Sequence, residues 1–542
     1  MATSNSSGGG DPASAGRSGG LRGALEGALP AERFGDQRNI LGNTGQNVLG
    51  LAIGAIATFA AQVLMTNALG RDSYGIVTLT TQFAFIAAAA TRFGMDVANV
   101  RLIAILVGRG EVGRVRPLVR RSVFIAVAVS VACAVIAFFA SGWLATTFSG
   151  LPAQARPAFQ AAAVTIPLAA LAFTYMGATR GLKIMRYTLY AQWTAQPLGW
   201  IAFALLGWVV ARTAGMTSLA YAASWGLALV IAWWGWEKET RAFDQRTEGR
   251  GIPEEDTGAL LRFGALRAPA TLFSQLLFWA DFFVLSTLSS GGGRVGPAQV
   301  GVYGAALRAA QSLFLFLTSV SLTFSPFVAD LHHRGERVKL DGLYKSVTRW
   351  TLGATIPVLL VLAILPGPVL RIFGREFVGG DVALRVLIIG MIVPVLVGTV
   401  GFILIMVGRT GWDLLVYVAS FAIDIGVAYV LIPSVGIRGA AIAQALTLWF
   451  SASARLFLVR RFVRIWPFDR SFLRLIPPTA IGAAVMIGAS VVIPSEKWLV
   501  NLVVASALGV GAYAVALVAV GLKPAERRAL LSVVKRLAGR AG

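Results

Sequence analysis

Long apolar runs, separated by short polar or basic segments, set the pattern of this chain from residue 43 onward. A membrane-crossing helix needs ~20 consecutive mostly apolar residues. Fourteen stretches meet that length: 43–66, 74–98, 122–143, 158–178, 187–210, 217–236, 268–290, 299–328, 350–370, 384–407, 412–433, 437–459, 475–494 and 498–521. Helices are expected over all of them, giving an all-α polytopic membrane protein. The composition agrees: of 542 residues, 56% are hydrophobic and 13% charged, with a mean hydropathy of +0.72. Those values exclude an ordinary soluble enzyme.

Charge changes the picture next. A net +23 would point to nucleic acid in a soluble chain, but its placement here does not. With the N-terminus put in the cytosol, roughly three-quarters of the lysines and arginines fall on the cytosolic side, which is the positive-inside bias. Clusters such as Arg114, Arg116, Arg120 and Arg121, or Arg460, Arg461, Arg464, Arg470 and Arg474, read as topology signals and contacts to anionic lipid. No nucleic-acid partner is expected. Trp143 and Trp498 on one side, and Trp233, Trp234, Trp236 and Trp466 on the other, suit interfacial belts. The lone cysteine, Cys133, lies within the third run, so neither a disulfide framework nor a thiolate metal site is expected.

The chain also repeats itself. RFGDQR at Arg33–Arg38 returns as RFGALR at Arg262–Arg267, an offset of 229, and Tyr74-Gly75 returns at the same offset as Tyr303-Gly304. Arg109-Gly110-Glu111 returns as Arg334-Gly335-Glu336 at an offset of 225. Each copy holds six apolar runs, an even number, so both begin on the same side and the halves have parallel topology. The expected organisation is a disordered cytosolic tail (1–38) without the apolar core of a signal peptide, an N-terminal lobe (39–236) and a polar linker (237–262). A C-terminal lobe (263–465), two extra helices (466–521) and a basic cytosolic tail (522–542) complete it.

Three blocks carry a resemblance: Asn67–Ala104 (NALGRDSYGIVTLTTQFAFIAAAATRFGMDVANVRLIA), Phe278–Leu313 (FWADFFVLSTLSSGGGRVGPAQVGVYGAALRAAQSL) and Leu431–Leu446 (LIPSVGIRGAAIAQAL). Together the chain resembles the polysaccharide-biosynthesis flippases of the multidrug/oligosaccharidyl-lipid/polysaccharide exporter superfamily, over roughly residues 35 to 465. The resemblance implies a V-shaped pair of six-helix lobes with a central cavity lined by helices 1, 2, 7 and 8. It further implies rocker-type alternating access that carries a polyprenyl-diphosphate-linked oligosaccharide across the bacterial inner membrane; the charge bias and the even number of runs put both termini in the cytosol.

Buried charges nominate the site. Asp281 precedes the end of the seventh run by nine residues and Arg308 follows the start of the eighth by nine. At 1.5 Å per residue both lie ~13 Å below the outer face and are expected to meet across the hairpin. A charge at that depth costs ~2.5–3.5 kcal/mol, so such residues face cavities or partners. Arg308 is thus either a diphosphate ligand or half of a fixed ion pair with Asp281. The resemblance implies an acidic residue in helix 7 and a basic one after the tyrosine of helix 8, which these two match. Arg92 and Asp96, spaced i, i+4, are candidates for the inner mouth of the cavity or a plain surface pair. Asp424, near the bilayer midplane, is either a coupling group for H+ or Na+ or an acid hydrogen-bonded to the next helix; it stands where the resembled family more often has asparagine. Gln46, Asn47, Gln62, Gln82, Gln275 and Gln311 are candidates for sugar hydroxyls, or for interhelical hydrogen bonds worth ~0.6 kcal/mol each.

Lipid-linked oligosaccharide translocation is therefore the expected function, with membrane lipids and polysaccharide assembly proteins as partners, no cofactor and no catalytic residue. A lipid II flippase or a cation-coupled multidrug exporter of the same superfamily is the alternative. A lipid II flippase typically carries arginines in its first helix, and NTGQNVLGLAIGAIATFAAQVLMT holds none. A membrane-embedded polymerase or ligase would need a large catalytic outer loop, and the longest outer segments, near 143–157 and 367–383, are short.

Overall fold

The structure, a computed structural model, describes residues 34–241, 254–291 and 295–522 except parts of 315–333, with side chains from Gly54 onward. Residues 1–33 of the N-terminal tail, 242–253 of the linker, 523–542 of the basic tail and the side chains of Gln46 and Asn47 lie outside the described residues. Described residues form helices joined by short turns. In chain order the main ones are α1 (Phe34–Thr91), α2 (Met95–Gly108), α3 (Val115–Phe139), α4 (Pro152–Gly181), α5 (Gln196–Trp208), α6 (Ala214–Thr240), α7 (Glu254–Leu276) and α8 (Ala280–Ser290). Then follow α9 (Pro297–Gln311), α10 (Arg337–Ile364), α11 (Asp381–Val397), α12 (Val400–Met406), α13 (Thr410–Val435), α14 (Ile437–Phe462), α15 (Ile476–Val492) and α16 (Trp498–Ala516).

A helix falls on each of the fourteen apolar stretches, and the chain is a multi-pass membrane protein. Among the described residues ten helices are long and apolar enough to cross a bilayer by themselves, or eleven if the bent α7–α8 pair is one span. The difference from fourteen has three sources, one being that the eighth run, 299–328, lies partly outside the described residues. The first two runs share α1, which turns at Gly70, whose φ of 73° favours glycine. The fifth run divides into a π-helical stretch, Leu189–Ala195, and α5.

Burial separates a core from a lipid-facing rim. The apolar windows of α1 and α4 are 78% and 72% buried, whereas those of α3, α15 and α16 are 22% buried. Phe124, Ile136 and Phe139 on α3, and Val491, Val492 and Val515 on the last pair, stay exposed in the protein itself. A bilayer covers such surfaces without cost, since lipid tails are as apolar as the side chains. The α15–α16 hairpin closes on small residues, Gly482 against Tyr513 and Gly509 against Met486. It docks on α10 where Tyr513 donates to the Gly353 carbonyl at 2.7 Å.

The two halves meet at two levels. At the Tyr74 level, α1 crosses α9 with backbone against backbone: a Cβ on Gly301 would lie 1.8 Å from the Arg71 carbonyl oxygen, and one on Gly75 would lie 2.9 Å from the Gly301 nitrogen. Asn67 Nδ2 donates to the Ile372 carbonyl at 2.9 Å, the Arg71 N–H to Glu376 at 3.1 Å, and Ser290 Oγ to the Thr147 carbonyl at 2.9 Å. Some twenty residues further along α1, the chain breaks at Phe93 and Gly94, with φ of 51° and 67°, before α2. That break rests on α7, where a Cβ on Gly264 would lie 2.5 Å from the Phe93 carbonyl oxygen.

Candidate functional site

Between these two levels lies a cavity of about 180 Å3, lined from both halves. Arg308, in the last turn of α9, reaches into it. Its guanidinium stacks over Trp279, 4.5 Å from the ring centroid. With the Gln82 amide oriented by its hydrogen bonds, the Gln82 oxygen accepts from both terminal guanidinium nitrogens, Nη1 at 3.1 Å. The Nε of Arg308 is buried without a partner among the described residues. Arg308 is the one charged side chain among those lining the cavity, held by a ring face and a neutral amide instead of a carboxylate.

A break in the seventh run places Trp279. Helix α7 ends at Leu276 and α8 begins at Ala280, bent by 62°, so the first backbone N–H groups of α8 and the last carbonyls of α7 need partners from elsewhere. Two polar side chains from the last helices of the second half supply them. Asp424 on α13 accepts from the Asp281 backbone N–H at 3.0 Å, and Gln444 on α14 donates to the Leu277 carbonyl at 3.1 Å. Thr447 donates to the other Asp424 oxygen at 3.3 Å. The Gln311 amide donates to the Phe278 carbonyl in the same break, at 3.4 Å.

The expected Asp281–Arg308 pair does not form. Asp281 is fully buried and accepts from the Tyr303 hydroxyl, with Asp424 on its backbone side and its Oδ1 unpartnered among the described residues. Counting residues gives depth in the membrane but not the direction a side chain points. The bend at residues 277–279 turns Asp281 toward α13 and leaves Trp279 on the cavity side under Arg308. A second cluster results, with two carboxylates, Asp281 and Asp424, joined through one backbone N–H and flanked by Tyr303 and Thr447.

Arg92 and Asp96 do pair, Nε to Oδ1 at 3.4 Å, with both side chains about nine-tenths buried. They reach each other across the Phe93–Gly94 break and are not among the cavity-lining residues. Arg92 lies over Phe173, 4.5 Å from the ring centroid, and Phe173 packs on Phe85, a cavity residue. An aromatic layer therefore separates this pair from Arg308. Gln275 lines the cavity, and so do Gln62 and Gln82.

Sequence reasoning missed the aromatic wall: Trp279, Trp200 and Tyr221, with Gln196 beside them. The last three come from the fifth and sixth runs, which no buried charge marks. No local sequence pattern marks them; the structure does, through the π-helical stretch, since such bulges recur at functional sites. There Gly54 on α1 admits the Trp193 backbone, 2.5 Å from where its Cβ would stand, and Gln196 and Trp200 follow directly.

A protein-family model described as polysaccharide biosynthesis protein matches residues 40–332. No curated protein matches the chain in sequence. Among solved structures, the chain is similar to an inward-facing multidrug resistance MATE family transporter of the MOP superfamily. The TM-score is 0.65 at 15% identity, covering 77% of this chain and 98% of that one. It is similar also to the lipid II flippase MurJ in an inward closed conformation, with a TM-score of 0.60 at 14% identity over 86% of this chain and 98% of that one. A MOP superfamily transporter from Pyrococcus furiosus, described as having a binding pocket of reverse polarity, gives 0.58 at 16% identity over 77% and 94%.

Proposed function

The chain belongs to the polysaccharide biosynthesis protein family, and on that footing we propose that it flips a polyprenyl-diphosphate-linked oligosaccharide from the inner to the outer leaflet. It is a transporter, not an enzyme, and delivers substrate for cell-surface polysaccharide assembly in the bacterial inner membrane. The observation that carries the reading is Arg308: a single cation, unpaired with any carboxylate, in a cavity otherwise walled by amides and aromatic rings. A diphosphate in that space gains charge-assisted hydrogen bonds to a guanidinium whose fork matches phosphate oxygens. Cationic drugs find no opposite charge in the lining.

Two six-helix lobes, residues 39–236 and 263–465, rock about the cavity while the hairpin of residues 466–521 stays at the rim, both termini facing the cytosol. Substrate enters past Arg92 and Asp96, whose side of the break at Phe93 faces the cytosol, and leaves where α1 and α9 part. Asp424, with Asp281, couples the cycle to H+ or Na+. The cluster suits that task because two buried carboxylates with an unpartnered oxygen between helices invite a cation, and taking one up would change how tightly α8 is held to α13.

Reconstitution tests the whole reading. Vesicles holding the protein and a fluorescent undecaprenyl-diphosphate oligosaccharide are expected to move label to the opposite leaflet, and Arg308→Gln to abolish that movement. Equal transport by Arg308→Gln, or export of cationic dyes without lipid movement, would overturn the proposal. Movement of lipid II in preference to the oligosaccharide lipid would reassign its substrate.

A further inference from the structure

The cavity offers more than a phosphate ligand. Around Arg308 its wall holds hydrogen-bonding groups whose capacity the described residues do not use in full. Gln62 accepts from Tyr74 at 2.9 Å through its oxygen, leaving its amide N–H groups, and Gln196 donates to Ser224 at 3.2 Å, leaving its oxygen. Gln82 turns its oxygen to Arg308, leaving its nitrogen. Gln275 makes no hydrogen bond to any described residue. The hydroxyls of Thr58 and Thr81 donate back to their own helix, at 2.7 Å each, and keep lone pairs for a donor from the cavity. Donors and acceptors are thus mixed and neutral. Trp200 and Tyr221, set edge to face with centroids 4.9 Å apart, close the side contributed by the first half.

We propose that the space beside Arg308 is a subsite for one uncharged pyranose, the sugar attached to the diphosphate. The proposal rests on the transport reading above and specifies the ligand chemistry of the same cavity. A pyranose presents hydroxyls at its rim and C–H groups on its faces. The rim matches neutral amides and threonine oxygens, while the electropositive C–H face matches the negative face of an aromatic ring. The cavity volume of about 180 Å3 is on the scale of one sugar ring and not of an oligosaccharide.

Charge sets the selectivity. Arg308 is committed to the diphosphate, and the carboxylate nearest in sequence to the cavity, Asp281, is turned away onto Tyr303. A uronic acid would bury its carboxylate without a partner, and an amino sugar would bring an ammonium next to the guanidinium with no acid to balance it. Both are disfavoured, while a hydroxyl or N-acetyl group is accepted.

Equilibrium binding to the full chain in nanodiscs tests this with three probes of matched lipid. They are farnesyl diphosphate capped on its second phosphate by methyl, by glucose or by glucuronic acid; the first two carry equal charge. The glucosyl probe is expected to bind about tenfold more tightly than the methyl probe, and the glucuronosyl probe no more tightly than the methyl probe. Trp200→Ala and, independently, Gln275→Leu are expected to erase most of the glucosyl advantage, read within each variant as the ratio of glucosyl to methyl affinity. Gln275 has no protein partner among the described residues, so its variant guards against misfolding in the tryptophan variant. Equal binding of the methyl and glucosyl probes, a glucuronosyl probe as tight as the glucosyl one, or an advantage that survives both substitutions would overturn the sugar subsite and leave transport untouched. Failure of all three probes to bind would overturn both.

Discussion

Arg308 is held by contacts that constrain its shape more than its charge. A ring face at 4.5 Å and an amide oxygen fix the plane of the guanidinium, and one buried Nε–H stays available. A lysine would keep the positive charge but lose the planar fork and the stacking. Arg308→Lys is therefore expected to slow flipping by about tenfold, equivalent to ~1.4 kcal/mol, against near abolition for Arg308→Gln, as measured by leaflet transfer in vesicles. The glycines at the α1–α9 crossing are equally specific. The Cβ of Gly301→Ala would meet backbone, not a flexible side chain, so relief requires the helices to separate. Overpacking of this kind costs ~1–3 kcal/mol, and the variant is expected to unfold at lower denaturant in detergent. At this scale the sequence revealed which charges sit deep, because depth follows from a 1.5 Å rise per residue. It did not reveal which way Asp281 points, because FWAD carries neither glycine nor proline to announce the break before it.

Broken helices, more than straight ones, build the site. The α7–α8 break exposes a carbonyl at Leu277 and an N–H at Asp281, and each is met by one side chain, Gln444 or Asp424. Gln444→Leu leaves the Leu277 carbonyl unpaired in a dry interior, a cost of ~1–3 kcal/mol. A matching loss of stability in denaturant titrations is the expected result. Asp424→Asn keeps a carbonyl oxygen that can accept from the Asp281 N–H, so the fold is expected to survive. What should disappear is the acceleration of flipping by an imposed proton or sodium gradient, measured as the ratio of rates with and without the gradient. The helices themselves were legible, since among the described residues a helix falls on each long apolar run. Their interruptions were not legible: the second run was read as continuous over 74–98, although the chain breaks at Phe93 and Gly94 with positive φ. The π-helical stretch before Gln196 follows from packing of Trp193 against Gly54, a contact between residues about 140 positions apart that no local pattern encodes.

At the scale of the whole molecule, the two halves touch on either side of the cavity, and the two contacts differ in kind. At Phe93 the contact is a chain break resting on Gly264; at Gly75 it is a close helix crossing reinforced by Asn67 on the Ile372 carbonyl, Ser290 on the Thr147 carbonyl, and the Arg71–Glu376 contact. The ion pair itself, 3.9 Å long and nearly half exposed, contributes little. The neutral hydrogen bonds and glycine packing therefore do most of the holding. Apolar runs and repeated motifs in the sequence indicated a duplicated, membrane-spanning chain, but which surfaces of the halves touch depends on glycines that are common throughout the chain and not distinguished by their neighbours. If alternating access requires the α1–α9 crossing to open, fixing it must stop transport without emptying the cavity. Cysteines at Thr147 and Ser290, joined by a short thiol-cleavable crosslinker, are expected to halt leaflet transfer while the protein still binds a diphosphate probe admitted from the Phe93 side. Reduction of the linker is expected to restore the rate. Transfer that continues in the linked protein would mean that substrate does not leave between α1 and α9.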